Sequence, residues 1–174
     1  MKEISLNRAI ELASPYPYAL LVTIDKNEKP NIMGLSWWNF VSFNPILIIV
    51  SVAPERYSYK CLTHNKEFVL SIPAEDQAKG AWVCGIKSGA EVDKFKEAGF
   101  KPISSKKVKP PIIDGVTVAF ECKVVKEIEV GDHNLFLGEV VAIHGNPDKS
   151  SHLYTIHYRK ILSIDQEGNI NINP

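Results

Sequence analysis

The run Ile46 to Val52, Ile-Leu-Ile-Ile-Val-Ser-Val, leaves few folds open to this chain. It is short, rich in β-branched residues, and bounded by Asn44-Pro45 before it and Pro54 after it. Such a run is a β-strand, and its continuous apolar character predicts burial on both faces. Tyr18 to Ile24 is a second short apolar run, Asp25 to Lys29 is a polar turn, and Pro30 to Phe43 is a further strand, so that these segments read as a hairpin. Gly34 interrupts the second arm and predicts a bulge or a close backbone approach.

Phe68 to Ile72, Val116 to Val130 and Leu135 to Ile143 continue the series, the last two joined through Gly131-Asp132-His133-Asn134. Ile161 to Ile164 and Ile170 to Ile172 form a last hairpin around Glu167-Gly168-Asn169. Helical pattern is confined to short pieces: Leu6 to Ala13 behind Ser5 as N-cap, Tyr57 to His64, and fragments between Glu75 and Gly99. The clearest fragment is Asp93 to Ala98, closed by Gly99. Lys101 to Pro111 is a basic connector. Without βαβ alternation, this order predicts a mainly β protein, an antiparallel β-barrel with a few short helices, in a single domain over 1–174.

Charge narrows the function classes. Lys plus Arg and Asp plus Glu stand at 20 each, so the net charge is zero and no general pull toward nucleic acid or an anionic membrane is expected. An anionic ligand must be caught by a few placed groups. No stretch approaches the roughly 18 apolar residues of a spanning helix, and Met1 to Ser5 lacks the marks of a signal peptide. Three widely spaced cysteines, Cys61, Cys84 and Cys122, point to reduced thiols and hence to a cytoplasmic protein. Cys61 with His64 and His152 with His157 lack a matching second ligand pair, so no metal site is expected. Neither a Gly-x-Gly-x-x-Gly turn nor a phosphate loop ending in Gly-Lys-Ser or Gly-Lys-Thr is present.

Three clusters can carry chemistry. Asn31 to Phe40 contains adjacent Trp37 and Trp38, which cannot both enter one core if the segment is a strand. Either one indole is a partly exposed neighbour of a core tryptophan, or it meets another subunit or a flat ring system such as an isoalloxazine. Ser51 to Lys60 lies between a buried strand and a helix start, where free amides and the helix dipole attract a phosphate. There Arg56, Ser51 and Ser58 are donors, unless Ser58 only caps the helix and Arg56 is a solvated charge. His133 is either a surface residue of a strand connection or a group that steers charge near a redox centre.

Taken in order, Asn31 to Asn39, Ser51 to Ser58, Cys84-Gly85-x-x-Ser88-Gly89 with Val92-Asp93-Lys94-Phe95, Gly131-Asp132-His133 and Gly138-Glu139-Val140 resemble flavoredoxin and other flavin-reductase-like proteins, from Ala9 to about Ile164. The resemblance implies an antiparallel, Greek-key FMN-binding split barrel that works as a homodimer with flavin near the subunit interface. It implies that Asn31, Met33, Ser36, Trp37, Trp38 and Asn39 surround the isoalloxazine, and that Ser51, Arg56, Ser58 and Tyr59 hold the phosphate. Lys94 and Phe95 match a segment that approaches the flavin, and His133 matches a residue beside the redox centre. The cofactor implied is FMN before FAD. NAD(P)H or a redox protein is the implied electron donor, and the alternatives are a reductase of diffusible flavin or a non-enzymatic flavin- or haem-related binding barrel.

Overall fold

The computed structural model describes residues 1–173. In chain order the elements are α1 (Leu6–Leu12), β1 (Tyr16–Pro17), β2 (Ala19–Ile24), β3 (Pro30–Leu35), β4 (Trp38–Phe43), β5 (Ile46–Val52), α2 (Tyr57–Asn65) and β6 (Glu67–Ile72). After a short helical turn at Glu75–Gln77 come α3 (Ala78–Ile86), α4 (Lys94–Ala98), β7 (Pro102–Ile103), β8 (Ile112–Ile113), β9 (Val118–Val130), β10 (His133–Gly145), β11 (His152–Ile156), β12 (Lys160–Ile164) and β13 (Ile170–Asn173).

A seven-stranded sheet runs β3-β2-β6-β9-β10-β5-β4, antiparallel throughout and crossed over in Greek-key fashion between β5 and β6. Its two edges, β3 and β4, are consecutive in the chain and separated only by Ser36 and Trp37. Each linking residue reaches at most about 3.6 Å. The sheet therefore curls until its edges almost meet, yet β3 and β4 do not pair. The result is a split barrel whose seam is bridged by a tryptophan.

Apolar side chains fill both sides of the curl. Leu21, Leu35, Ile48, Val50, Phe68 and Phe136 pack inside it. Leu20, Val22, Ala81, Cys84, Leu153 and Ile161 pack outside it, beneath α3 and a four-stranded sheet of order β1-β11-β12-β13. Being sandwiched between these two cores, β2 is buried along its whole length.

β5 departs from the expectation of two-sided burial. Ile48, Val50 and Val52 are buried, whereas Leu47, Ile49 and Ser51 are only half-buried. The covering layer packs mainly on β2, β3 and β6 and leaves the outward face of β5 only partly covered. Register sets Leu137 beside Ile49 and Leu135 beside Ser51, which extends that apolar face across β10.

Gly34 lies inside β3, and its close approach comes from Tyr18: a Cβ there would fall 1.8 Å from the Tyr18 hydroxyl. That hydroxyl donates to the Ala81 carbonyl at 3.1 Å. His133 also moves from its expected place, because the connection is the two-residue turn Gly131-Asp132 and His133 opens β10. Gly131, with φ of 60°, supplies the backbone that such a turn requires. The expected helix after Ser5 forms with its cap, Arg8 N–H donating to Ser5 Oγ at 3.3 Å, but buries none of its residues.

Candidate functional site

The seam between β3 and β4, the end of β5, the start of α2 and the segment after α3 converge on one groove. It has two compartments of about 250 and 140 Å³ that share Met33, Arg56 and Gly85. A larger cavity of about 600 Å³ opens near Asp76, Lys79, Lys96 and Glu97. Those charges are exposed to water, and the cavity has no buried polar group in want of a partner. The groove does.

In the larger compartment, buried Asn31 donates through Nδ2 to Ser58 Oγ at 2.8 Å and Thr23 Oγ1 at 3.3 Å. Its Oδ1, shielded from solvent, has no partner among the described residues. A Cβ on Gly89 would fall 1.9 Å from that oxygen, so only a glycine lets the backbone of this segment pack so close to it. Ser58 does not cap α2: it is buried in the first turn, and no side chain caps the helix. The first-turn amides of Tyr57 and Ser58 are thus left to a ligand or to water.

Lys94 is 4% exposed, and its ammonium donates to the Cys84 carbonyl at 2.8 Å. An ammonium has three N–H donors, and this is the one protein acceptor that it finds among the described residues. Burial, together with nearby Arg56, pulls its pKa down to about 8 against the opposing pull of Cys84. The Cys84 thiol is buried and pushed up to about 12 by its surroundings, so it stays protonated at neutral pH.

The smaller compartment is aromatic. The Trp37 ring lies 4.8 Å from that of His133, tilted by 35°. His133 Nδ1 lies 2.7 Å from Asp132 Oδ1, and this contact holds the Asp132 carboxyl below its ordinary range. Ser36 and Ser51 line the same compartment.

The groove thus gathers Asn31, Met33, Ser36, Trp37, Ser51, Arg56, Ser58, Lys94 and His133. Trp38, Asn39, Tyr59 and Phe95 lie outside its lining. Trp38 and Tyr59 pack toward the inner core, Phe95 is buried in the outer one, and Asn39 faces solvent. Tyr57, Gly85, Ser88 and Gly89 line the groove without having been assigned a role from the sequence. The Cys84-Gly85-x-x-Ser88-Gly89 pattern held the signal, since glycines there let a ligand or a neighbouring chain come close.

The flavin reductase like domain family matches residues 12–162. The chain belongs to the flavin reductase-like family. A relative in Archaeoglobus fulgidus, an uncharacterized protein, is 34% identical over 91% of this chain and 89% of its own. The flavoredoxin of Desulfovibrio vulgaris superposes with a TM-score of 0.76 at 27% identity, covering 100% of this chain and 94% of that one. The NADH-dependent FAD reductase of Streptomyces globisporus is 26% identical over 80% of this chain and 76% of its own. Family membership agrees with the mainly β, antiparallel split barrel and with the order of motifs along the chain.

Proposed function

We propose that this protein is an FMN-binding oxidoreductase of the flavoredoxin type, taking electrons or a hydride from a nicotinamide nucleotide or a redox protein and passing them to an acceptor. The observation that carries the reading is the partnerless buried Asn31 oxygen beside a buried, under-partnered Lys94, in a groove walled at its other end by Trp37 and His133. Such a donor set suits a ligand with an anionic tail and a flat head. Lys94, Arg56 and the α2 amides would hold the phosphate, Asn31 Oδ1 would accept from a ribityl hydroxyl, and Met33, Ser36 and Trp37 would border the ring. Flavin, when bound, supplies the hydride and electron chemistry. His133, which lines the ring compartment, would move or hold a proton at its imidazole. FMN is put before FAD on the likeness to flavoredoxin, the Streptomyces relative being an FAD reductase.

The purified protein should retain a visible flavin spectrum through gel filtration and lose it on reduction by NADH or NADPH. Arg56→Ala should weaken FMN binding about 10- to 100-fold, whereas Arg8→Ala, in exposed α1, should leave it unchanged. Equal affinities would remove the phosphate site. If the flavin washes off freely while turnover persists, the protein is instead a reductase of diffusible flavin, a reading that the likeness to the NADH-dependent FAD reductase of Streptomyces globisporus favours.

The partly covered apolar face of β5 and β10 supports a homodimer. Sedimentation should give about twice the 19.4 kDa chain mass, and Leu137→Glu should halve it. A monomer at micromolar concentration would sink this part.

A further inference from the structure

Trp37 lies in the link that crosses the barrel seam, outside any strand. Its carbonyl accepts from Ser51 N–H at 2.9 Å, but that bond fixes backbone and leaves the indole free to turn. The indole is anchored from far along the chain: Nε1 donates to the Tyr158 hydroxyl at 2.8 Å.

Tyr158, although 39% exposed, has contacts of its own. Its ring stacks on Tyr16 with centroids 5.2 Å apart and planes 9° from parallel. It sits in the turn between β11 and β12, where Arg159 N–H donates to the Ile156 carbonyl at 3.0 Å and His157 N–H donates to Ser14 Oγ at 2.9 Å. His157 and Tyr158 both have φ of 54°, two successive bulky residues in backbone that usually belongs to glycine or asparagine. Backbone of this kind persists only where the surroundings over-determine it, and it gathers at ligand clamps. These bonds set the backbone from which Tyr158 projects, and the stack on Tyr16 orients its ring toward the indole. On the indole's other side stands His133, itself tied to Asp132.

We infer that Tyr158 is a positioning residue: it sets the angle of the Trp37 indole so that the aromatic compartment is ready for a flat ring before the ring arrives. The inference rests on the flavin reading above and extends it to a residue 121 positions from the indole that it serves. A wall set in advance saves the ordering that binding would otherwise have to supply.

Tyr158→Phe removes one hydroxyl and keeps the stack on Tyr16. In the ligand-free protein, the indole N–H signal that disappears in Trp37→Phe should shift in Tyr158→Phe, while the signals of Trp38 and Trp82 stay in place. An unmoved signal overturns the inference. With FMN as probe, Tyr158→Phe should weaken binding about three- to tenfold in the wild-type background and not at all in the Trp37→Phe background. Equal losses in both backgrounds mean that Tyr158 acts elsewhere, and they overturn the inference while leaving the flavin reading intact. Wild-type protein that takes up no FMN sinks the flavin reading and this inference with it.

Discussion

Lys94→Met is expected to stabilise the ligand-free protein and weaken its hold on FMN at the same time. The ammonium is buried with a single carbonyl partner, and burial is the main reason its pKa falls to about 8 from the ordinary 10.5. A depression of that size means that the folded protein holds the charge at a cost of roughly 3 kcal/mol. Methionine fills a similar volume without that cost, so thermal unfolding without ligand should move upward. FMN binding should fall about 10- to 100-fold, because a charge-assisted bond to the phosphate is lost.

The pH dependence follows from the sign of the shift. Between about 8 and 10.5 the unfolded chain binds more protons at this site than the folded one, so wild-type stability gains from Lys94 as pH rises through that window and loses as pH falls through 8. Affinity for an anion runs the other way and declines as pH rises past 8. The second ionisation of a phosphate lies near pH ~6, below this range, so the decline belongs to the protein. Calorimetric titration between pH 7 and 9 should show the slope in wild type and a flat line in Lys94→Met. Identical slopes would place the phosphate away from Lys94.

Much of this architecture was legible because it follows short-range rules. Apolar runs and turn residues located β2, β3, β5, β6, β9, β10, β12 and β13, and Gly99 closed α4 as its sequence suggested. What depends on layering was not legible. Nothing in Ile46–Val52 reveals that one of its faces is only partly covered, since that is decided by where α2, α3 and β8 pack. β11 was not read from the sequence; its inward face is only Leu153 and the polar Thr155, too short an apolar signal to mark a strand.

The candidate site divides in the same way. The motifs mark segments that line the groove, but the period of each element decides which residue in a segment faces it. Trp37 lines it while the adjacent Trp38 begins β4 and turns toward the inner core. Lys94 lines it while Phe95, a hundred degrees further round α4, enters the outer core. Tyr158 lay beyond reach altogether, because its turn meets Trp37 only after the small sheet docks on the large one.

Glu121→Leu is expected to cost the fold about 3–5 kcal/mol. This carboxylate on β9 is fully buried, yet it accepts from the amides of Lys106 at 2.8 Å, Lys107 at 2.6 Å and Val108 at 3.2 Å. His144 Nε2 lies 2.6 Å from its Oε1. Successive amides converging on one anion form a nest, and this one folds the basic connector over the barrel. Leucine matches the volume and leaves those donors without an acceptor, at about 1–3 kcal/mol for each that water does not reach. For a chain of this length that loss lowers the melting temperature by roughly 10 °C. Burial pushes the Glu121 carboxyl upward, but the two lysine amides and His144 outweigh it, and the net displacement is below the ordinary 4.5. The group's contribution is therefore complete above pH 4.5 and drains away as pH falls through the lower folded value. The gap between wild type and Glu121→Leu should be widest near neutrality and close in acid. Melting temperatures that agree within about 2 °C at pH 7 would mean that the connector is held by its other contacts, chief among them Lys109 N–H to Glu67 at 2.9 Å.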